Sequence, residues 1–390
     1  MRISKKVDDL APSGIRAFFD LVLGMKDVIS LGVGEPDFVT PWHVRERAIQ
    51  SLEGGFTSYT SNKGMIELRK EITSFLKSRR GLSYDPEEET LITVGVSEAL
   101  DLAMRAILNP GEKILVPEPC YVAYGPVVEL AGGKPVLLPT SMETGFKVTP
   151  AQIEKAITKG TKGILLGYPS NPTGASYTKK ELEAIAKVVK KHNLIVLSDE
   201  LYDELTYDFE HTPIATLPDM KQRVVYLNGF SKTYAMTGFR IGYVCGPRDI
   251  VGAMLKIHQY TMLCAPITGQ MAAIEALKSG AGDVAAMKKE YHRRRDFMVE
   301  SLNKIGLKCH KPQGAFYVFP SIKSTGESSV DFAKNLLTQQ KVALVPGVAF
   351  GSCCADYVRI SYASSYENLN EAISRIQIYL TNRKRPAKAG

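Results

Sequence analysis

Short apolar runs alternating with longer amphipathic stretches through the middle of this chain predict an α/β fold. Strand-like runs at 90–94, 113–116, 135–138, 163–167, 195–198, 224–227 and 242–245 are short and mostly apolar. Helical patterns at 98–108, 121–131 and 179–192 fall between several of them. That βαβ rhythm predicts a large, mostly parallel sheet covered by helices on both faces. Such sheets bind ligands where strand C-termini meet helix N-termini. The last third reads differently, with a long charged helix at 283–305, short strands at 315–319, 342–345 and 357–361, and a closing helix at 366–380. It predicts a smaller α+β domain.

A chain of 390 residues is long for one core, so two domains are expected. Its 44% hydrophobic and 23% charged residues place it among soluble globular enzymes. No apolar run approaches the roughly 20 residues of a membrane-spanning helix. The first residues, Met1-Arg2-Ile3-Ser4-Lys5-Lys6, are too polar for a secretory signal, so a cytoplasmic protein with no membrane partner is expected. Six cysteines show no metal-type spacing, which predicts reduced thiols and no metal site. The net charge of +8 suits anionic ligands, and part of it sits in a short basic tail at 383–388. Basic residues do not interleave with aromatic ones, so no nucleic-acid partner is expected.

The most informative stretch is Gly229-Phe230-Ser231-Lys232-Thr233-Tyr234-Ala235-Met236-Thr237-Gly238-Phe239-Arg240-Ile241-Gly242. An ammonium among small and apolar residues is hard to hydrate, and a nearby cation such as Arg240 lowers its pKa further. A desolvated lysine is a nucleophilic amine suited to a Schiff base with an aldehyde. A lone lysine in this setting also fits an ordinary strand-to-helix turn.

Three upstream elements accompany it. In Tyr168-Pro169-Ser170-Asn171-Pro172-Thr173-Gly174 the prolines restrict the backbone and leave Asn171 as a fixed amide at a strand end, although turn chemistry alone explains the run. Ser198-Asp199-Glu200-Leu201-Tyr202 places a carboxylate at the C-terminal edge of a buried strand, where it needs a cationic partner or caps a local turn. At Val94-Gly95-Val96-Ser97 a strand turns into a helix, and free backbone N–H groups with the helix dipole can cradle an anion. Many such turns bind nothing.

These elements, in the order Gly95–Ser97, Tyr121, Asn171, Asp199, Tyr202, Lys232 and Arg240, resemble the class I/II, fold-type-I aminotransferases. The likeness runs from Leu31-Gly32-Val33-Gly34-Glu35-Pro36-Asp37-Phe38 to Val358-Arg359-Ile360-Ser361. It implies a large pyridoxal-phosphate-binding domain at 45–280, a small C-terminal domain at 281–390, and an arm with part of the small domain at 1–44. The resemblance further implies the following roles. Lys232 forms the Schiff base with pyridoxal 5'-phosphate and shuttles a proton at the substrate Cα. Asp199 pairs with the pyridinium nitrogen, keeping the ring an electron sink. Asn171 and Tyr202 donate to the ring oxygen, and Tyr121 lies against the ring face. Arg240, the Ser231 hydroxyl and the amides of Val96 and Ser97 hold the phosphate. Gly229 stands where many relatives carry a serine, so one phosphate hydrogen bond is missing or supplied by another group.

Arg359 matches the arginine that clamps the substrate α-carboxylate, with the backbone of Val33 and Gly34 closing over it, although an isolated arginine on a strand also fits a rim salt bridge. Tyr59, in Thr57-Ser58-Tyr59-Thr60, matches a tyrosine that reaches the neighbouring subunit's phosphate, which implies a homodimer; alone it reads as a surface tyrosine. The segment Gln259-Tyr260-Thr261-Met262-Leu263-Cys264-Ala265-Pro266 has no arginine, and the cradle carries Ser97 where a lysine serves some dicarboxylate-specific relatives. Strict dicarboxylate specificity is therefore not expected. The wording at 13–16, 169–172 and 258–260 resembles the branch of aromatic and N-acetyl-diaminopimelate aminotransferases. The expected reaction is ping-pong amino transfer from an aromatic, aspartate-like or N-acetyl-diaminopimelate-like L-amino acid to a 2-oxo acid, 2-oxoglutarate being the expected acceptor. A carbon–sulfur β-lyase on the same scaffold is one alternative. A non-catalytic cofactor-binding sensor is another, and it would need a DNA-binding region ahead of the first motif.

Overall fold

The computed structural model describes residues 3–10, 12 and 25–383; the motif at 13–16 and the tail beyond residue 383 lie outside the described residues. After a two-residue strand near the N-terminus, β1 (Ile29–Ser30), come seven strands. They are β2 (Thr90–Thr93), β3 (Lys113–Glu118), β4 (Lys134–Pro139), β5 (Thr161–Gly167), β6 (Ile195–Asp199), β7 (Val224–Gly229) and β8 (Gly242–Cys245). They form one sheet in the order β2-β8-β7-β6-β5-β3-β4, with β8 antiparallel to both its neighbours and every other pairing parallel.

Near-continuous apolar runs in the inner strands β5, β6, β7 and β8 reflect burial on both faces, whereas the edge strand β4 is largely exposed. Alternation sends Ile164, Leu166, Val196 and Val224 into one core, and Leu165, Leu197, Val225 and Val244 into the other. The helix Gly95–Ile107 packs on β7 and β8 from the second side. The helix Lys179–Lys191 starts in a capping box, in which Thr178 and Glu181 satisfy each other's backbone N–H. It ends before Asn193, whose left-handed φ of 50° turns the chain out of the helix.

The C-terminal region builds two small sheets. Strand β9 is Tyr317–Val318, β10 is Val342–Ala343, β11 is Val345–Pro346 and β12 is Val358–Ser361. Strands β11, β12 and β9 form an antiparallel sheet in that order, while β10 pairs in parallel with β1, so the start of the chain joins the C-terminal layer. Helices Ala281–Lys304, Ser329–Gln340 and Tyr366–Arg383 cover this layer.

The single strand predicted at 342–345 is thus two strands in different sheets. Pro346 has no N–H to donate and sits on the edge strand β11, the position a proline tolerates. The helix predicted from residue 121 begins at Tyr124, with Pro126 in its first turn, where a missing N–H costs nothing. The helix predicted from residue 98 begins at Gly95, which makes the expected anion cradle its first turn. The helices Trp42–Glu53, Ile66–Arg80, Arg248–Thr261 and Ile267–Ser279 were not foreseen.

Candidate active site

Strand ends along the C-terminal edge of the large sheet converge on one cavity. The exit of β5 carries Asn171, β6 ends at Asp199, and β7 runs into the short helix Phe230–Thr233 that holds Ser231 and Lys232. The turn after β2 opens the helix Gly95–Ile107, while β12 contributes Arg359 and β9 contributes Tyr317. Together with Gly32–Glu35 they surround a space of about 700 Å³. Every residue given a cofactor- or substrate-binding role from the sequence lines it except Tyr59.

Lys232 is half-buried, and its Nζ donates to the Gly34 carbonyl at 2.6 Å. Burial lowers the Lys232 pKa to about 8; Glu35 opposes the shift, and Arg359 and Arg240 add to it. Asp199 shows the reverse: burial raises its carboxyl to about 6, against the hydrogen bonds it accepts from Tyr124 and the Leu201 N–H. Those bonds are 2.7 Å from the Tyr124 hydroxyl to Oδ2 and 3.3 Å from the Leu201 N–H to Oδ1.

Arg359 is 2% exposed, and burial lowers its pKa. Its Nη1 donates to Asn171 Oδ1 at 2.9 Å and its Nη2 to the Gly32 carbonyl, while Nε has no partner. The guanidinium lies 4.6 Å from the Tyr317 ring centroid and 4.9 Å from that of Phe350. Because a guanidinium only donates, the contact fixes the Asn171 amide with its oxygen toward Arg359 and its NH₂ left to donate elsewhere. The Tyr202 and Tyr317 hydroxyls meet at 2.8 Å.

Arg240 adopts a left-handed φ of 55° and donates to the Thr237 carbonyl at 3.1 Å. It lies against the first turn of the helix Gly95–Ile107. At Gly95 the φ of +71° is what favours glycine, and a Cβ there would stand 2.5 Å from Arg240 Nη2 and push the guanidinium aside. Beside this guanidinium the first-turn N–H groups have no intrahelical acceptor. Glu98 braces the turn: it accepts from the Val94 N–H at 2.5 Å and meets His258 Nδ1 at 2.6 Å.

Among the described residues, Lys232, Arg240 and Arg359 have no carboxylate within salt-bridge distance, and Asp199 has no cation. Arg359 is buried and Lys232 and Asp199 are half-buried, a costly placement for charges without partners, whereas Arg240 is exposed and open to an anion. The set fits a ligand that brings an aldehyde, a phosphate and a cationic ring nitrogen, together with a substrate carboxylate. The residues present therefore fit pyridoxal phosphate. No group of three or more His, Cys, Asp or Glu side chains able to hold a metal occurs among the described residues, and none of the described helices is long and apolar enough to cross a membrane.

Sequence reasoning missed two site tyrosines. Tyr124 was read as part of an amphipathic helix and Tyr317 as part of a strand, and only their placement reveals the contacts to Asp199, Tyr202 and Arg359. Tyr59 is 82% exposed and does not reach the cavity of its own chain. Its loop is tied to residues 263 and 270: Asn62 Nδ2 donates to the Leu263 carbonyl at 2.7 Å, and Gln270 Nε2 donates to Thr60 Oγ1 at 3.1 Å.

A buried amine, an anion cradle and an isolated carboxylate on the C-terminal edge of such a sheet define a pyridoxal-phosphate-dependent enzyme of fold type I. Residues 26–376 match the family described as Aminotransferase class I and II. The chain is 58% identical over 378 residues to the Bacillus subtilis protein YugH, covering 97% of this chain and 98% of that one. It is 44% identical to the "Probable N-acetyl-LL-diaminopimelate aminotransferase" of the same organism, over 98% of this chain and 96% of that protein. The crystal structure of the aromatic aminotransferase from Pyrococcus horikoshii OT3 superposes with a TM-score of 0.91 at 44% identity, covering 95% of this chain and 99% of that one. The chain belongs to the class I and II aminotransferases. It is a transaminase that depends on pyridoxal phosphate.

Proposed function

We propose that this transaminase moves the amino group of an aromatic, aspartate-like or N-acetyl-diaminopimelate-like L-amino acid to 2-oxoglutarate, in a homodimer. The observation that carries the site assignment is that Lys232, Arg240, Arg359 and Asp199 surround one cavity with no oppositely charged partner among the described residues. When bound, pyridoxal phosphate supplies an aldehyde that exchanges amines and a cationic ring that draws electrons from the substrate Cα. Lys232 carries the cofactor through Nζ and, as an amine of lowered basicity, takes and returns the Cα proton. Asp199 holds the ring nitrogen in its charged form. The Asn171 NH₂ and the Tyr202 hydroxyl donate to the ring oxygen, and Tyr121 lies against the ring face. Arg240, Ser231 and the amides of Val96 and Ser97 hold the phosphate. Arg359 takes the substrate α-carboxylate, and the backbone of Val33 and Gly34 covers it. That clamp orients the Cα–H bond, an effect on the order of several kcal/mol.

No cation among the described lining residues is left for a side-chain carboxylate, and Glu35 adds a negative charge to the wall. This supports a broad preference over strict dicarboxylate specificity. Tyr59 completes the neighbouring subunit's phosphate site. Support comes from its exposure, from the 92% exposure of Tyr260 on the tethered segment, and from the exposed Trp42, Leu52 and Phe56 nearby in sequence. The domain division at 44 and 280 rests on the same footing, supported by the pairing of β1 with β10.

The test uses purified holoenzyme, a panel of amino acids with 2-oxoglutarate, and Lys232→Ala. Glutamate formation from several side-chain classes is expected in the wild type. Lys232→Ala should lose turnover and the cofactor's visible absorbance while keeping native circular dichroism. Normal turnover in that variant overturns the assignment.

A further inference from the structure

Asp199 owes its only side-chain hydrogen bond among the described residues to Tyr124, a residue with no assigned role. The phenol reaches the carboxylate by passing Gly167, the last residue of β5, which pairs in register with Asp199 on β6. A Cβ at Gly167 would stand 2.3 Å from the Tyr124 hydroxyl oxygen and 3.2 Å from Cζ. Gly167 is not among the positive-φ glycines, so its backbone accepts any residue and the space is what demands glycine. The phenol therefore fills the volume a side chain beside Asp199 would take.

The carboxylate is held at both ends, Oδ2 by the Tyr124 hydroxyl at 2.7 Å and Oδ1 by the Leu201 N–H at 3.3 Å. Each oxygen keeps a lone pair for a further partner. We propose that Tyr124, admitted by Gly167, is a positioning residue for the cofactor, its hydroxyl fixing the plane of the carboxylate that meets the ring nitrogen. This rests on the assignment of Asp199 to that nitrogen. A hydroxyl bonded to an ionised acceptor also favours the ionised form. Burial raises Asp199 to about 6, and the Tyr124 hydrogen bond is the largest influence opposing it. The other titratable groups around the pair are Glu200 and Tyr202 on the exit of β6, and Cys120 and Tyr121 ahead of Tyr124. None of them is a cation.

The test compares wild-type holoenzyme with Tyr124→Phe, Gly167→Ala, the double variant and Asp199→Asn, reading cofactor release by dialysis from pH 5 to 8. Tyr124→Phe should weaken cofactor retention about tenfold and move the acid midpoint of retention upward. Gly167→Ala should do the same by displacing the phenol. The double variant should be no worse than Tyr124→Phe, because both changes remove one contact. Unchanged retention and midpoint in Tyr124→Phe overturn the proposal, as do losses that multiply in the double variant. Should Gly167→Ala fail to fold, Tyr124→Phe alone decides. If Asp199→Asn leaves retention intact, the assignment of Asp199 fails instead.

Discussion

Asp199 and Glu200 are adjacent at the end of one strand, yet their surroundings are opposite in kind. Glu200 is fully buried and saturated: it accepts from Ser198 Oγ at 2.6 Å and from the Tyr168 hydroxyl at 3.1 Å, and meets His211 Nε2 at 2.6 Å. The His211 ring in turn stacks on Tyr168 with centroids 5.2 Å apart. Asp199 has one hydroxyl, one amide and no cation among the described residues. Two buried arginines divide the same way. Arg295 meets Asp208 at 2.6 and 2.9 Å and Asp296 at 2.9 Å, whereas Arg359 has no carboxylate among the described residues and an idle Nε. Removing one partner of a satisfied buried pair strands the other charge and destabilises the fold. An unsatisfied charge at the sheet edge is a standing cost that a ligand relieves, so incompleteness, more than burial, marks the functional member of each pair.

The arginine pair should separate furthest. Arg359→Ala is expected to cut kcat/KM by at least about 100-fold for every amino acid, mostly through KM, because it removes a desolvated partner of the α-carboxylate. Its thermal stability should hold or rise, since a buried unpaired charge is gone. Arg295→Ala should invert the pattern: kinetic constants near wild type, but a melting temperature lower by several degrees as Asp208 loses its bidentate partner. Steady-state kinetics with two side-chain classes, beside thermal melts, check both. A kinetic defect confined to one side-chain class would mean that Arg359 serves the side chain and not the α-carboxylate.

The carboxylates give the next contrast. Glu200→Gln takes the buried carboxylate away from Ser198, Tyr168 and His211 and should cost about 2–4 kcal/mol of stability in a denaturant titration. Asp199→Asn should spare stability and lose cofactor. The folded carboxyl of Asp199 titrates near 6, above its usual 3.8, so it is ionised only above that point. Cofactor retention in the wild type should therefore fall as pH drops through about 6. That part of the pH dependence should be missing in Asp199→Asn, and an unchanged profile would detach Asp199 from the ring.

The division between these groups explains what was legible beforehand. Asp199 stood out because a carboxylate ends an apolar parallel strand, a conflict visible in one dimension, whereas Lys232 and Asn171, each explicable alone as turn chemistry, stood out through the joint order of the motifs. Arg359 stood out only through its resemblance to a family motif. Tyr124 was hidden because its role depends on Gly167, some 40 residues away and next to Asp199 only once β5 and β6 pair. Tyr317 was hidden for a similar reason, since a tyrosine in a β run reads as core until Arg359 is brought onto its ring. The helix Trp42–Glu53 escaped notice because it buries only Val44 and Ser51 in this chain, leaving Trp42, Ile49 and Leu52 exposed. Its apolar pattern does not point at this chain's own core, and a search for an inward-facing stripe passes over it.

The smallest predicted effect bears on the central amine. In cofactor-free protein the Lys232 ammonium is depressed to about 8 from an ordinary 10.5, with burial the main cause. Between those values the unfolded chain binds more protons than the folded one, so stability rises with pH across that window. Below about pH 8 both states are protonated and the full penalty applies. Above about 10.5 both are neutral and it vanishes. The shift caps the effect at about 3 kcal/mol, and partial exposure of the side chain reduces it to roughly 1–3 kcal/mol. Lys232→Met keeps the length and removes the charge, so the cofactor-free variant should be the more stable protein at pH 7.5, with its advantage shrinking toward pH 10. Denaturant midpoints of the two proteins across that range make the comparison, and other titrating groups cancel in the difference. A constant difference would mean that water already solvates the ammonium. Lys232 would then be an ordinary cation, and the contrast between satisfied and waiting charges would lose the member that performs the chemistry.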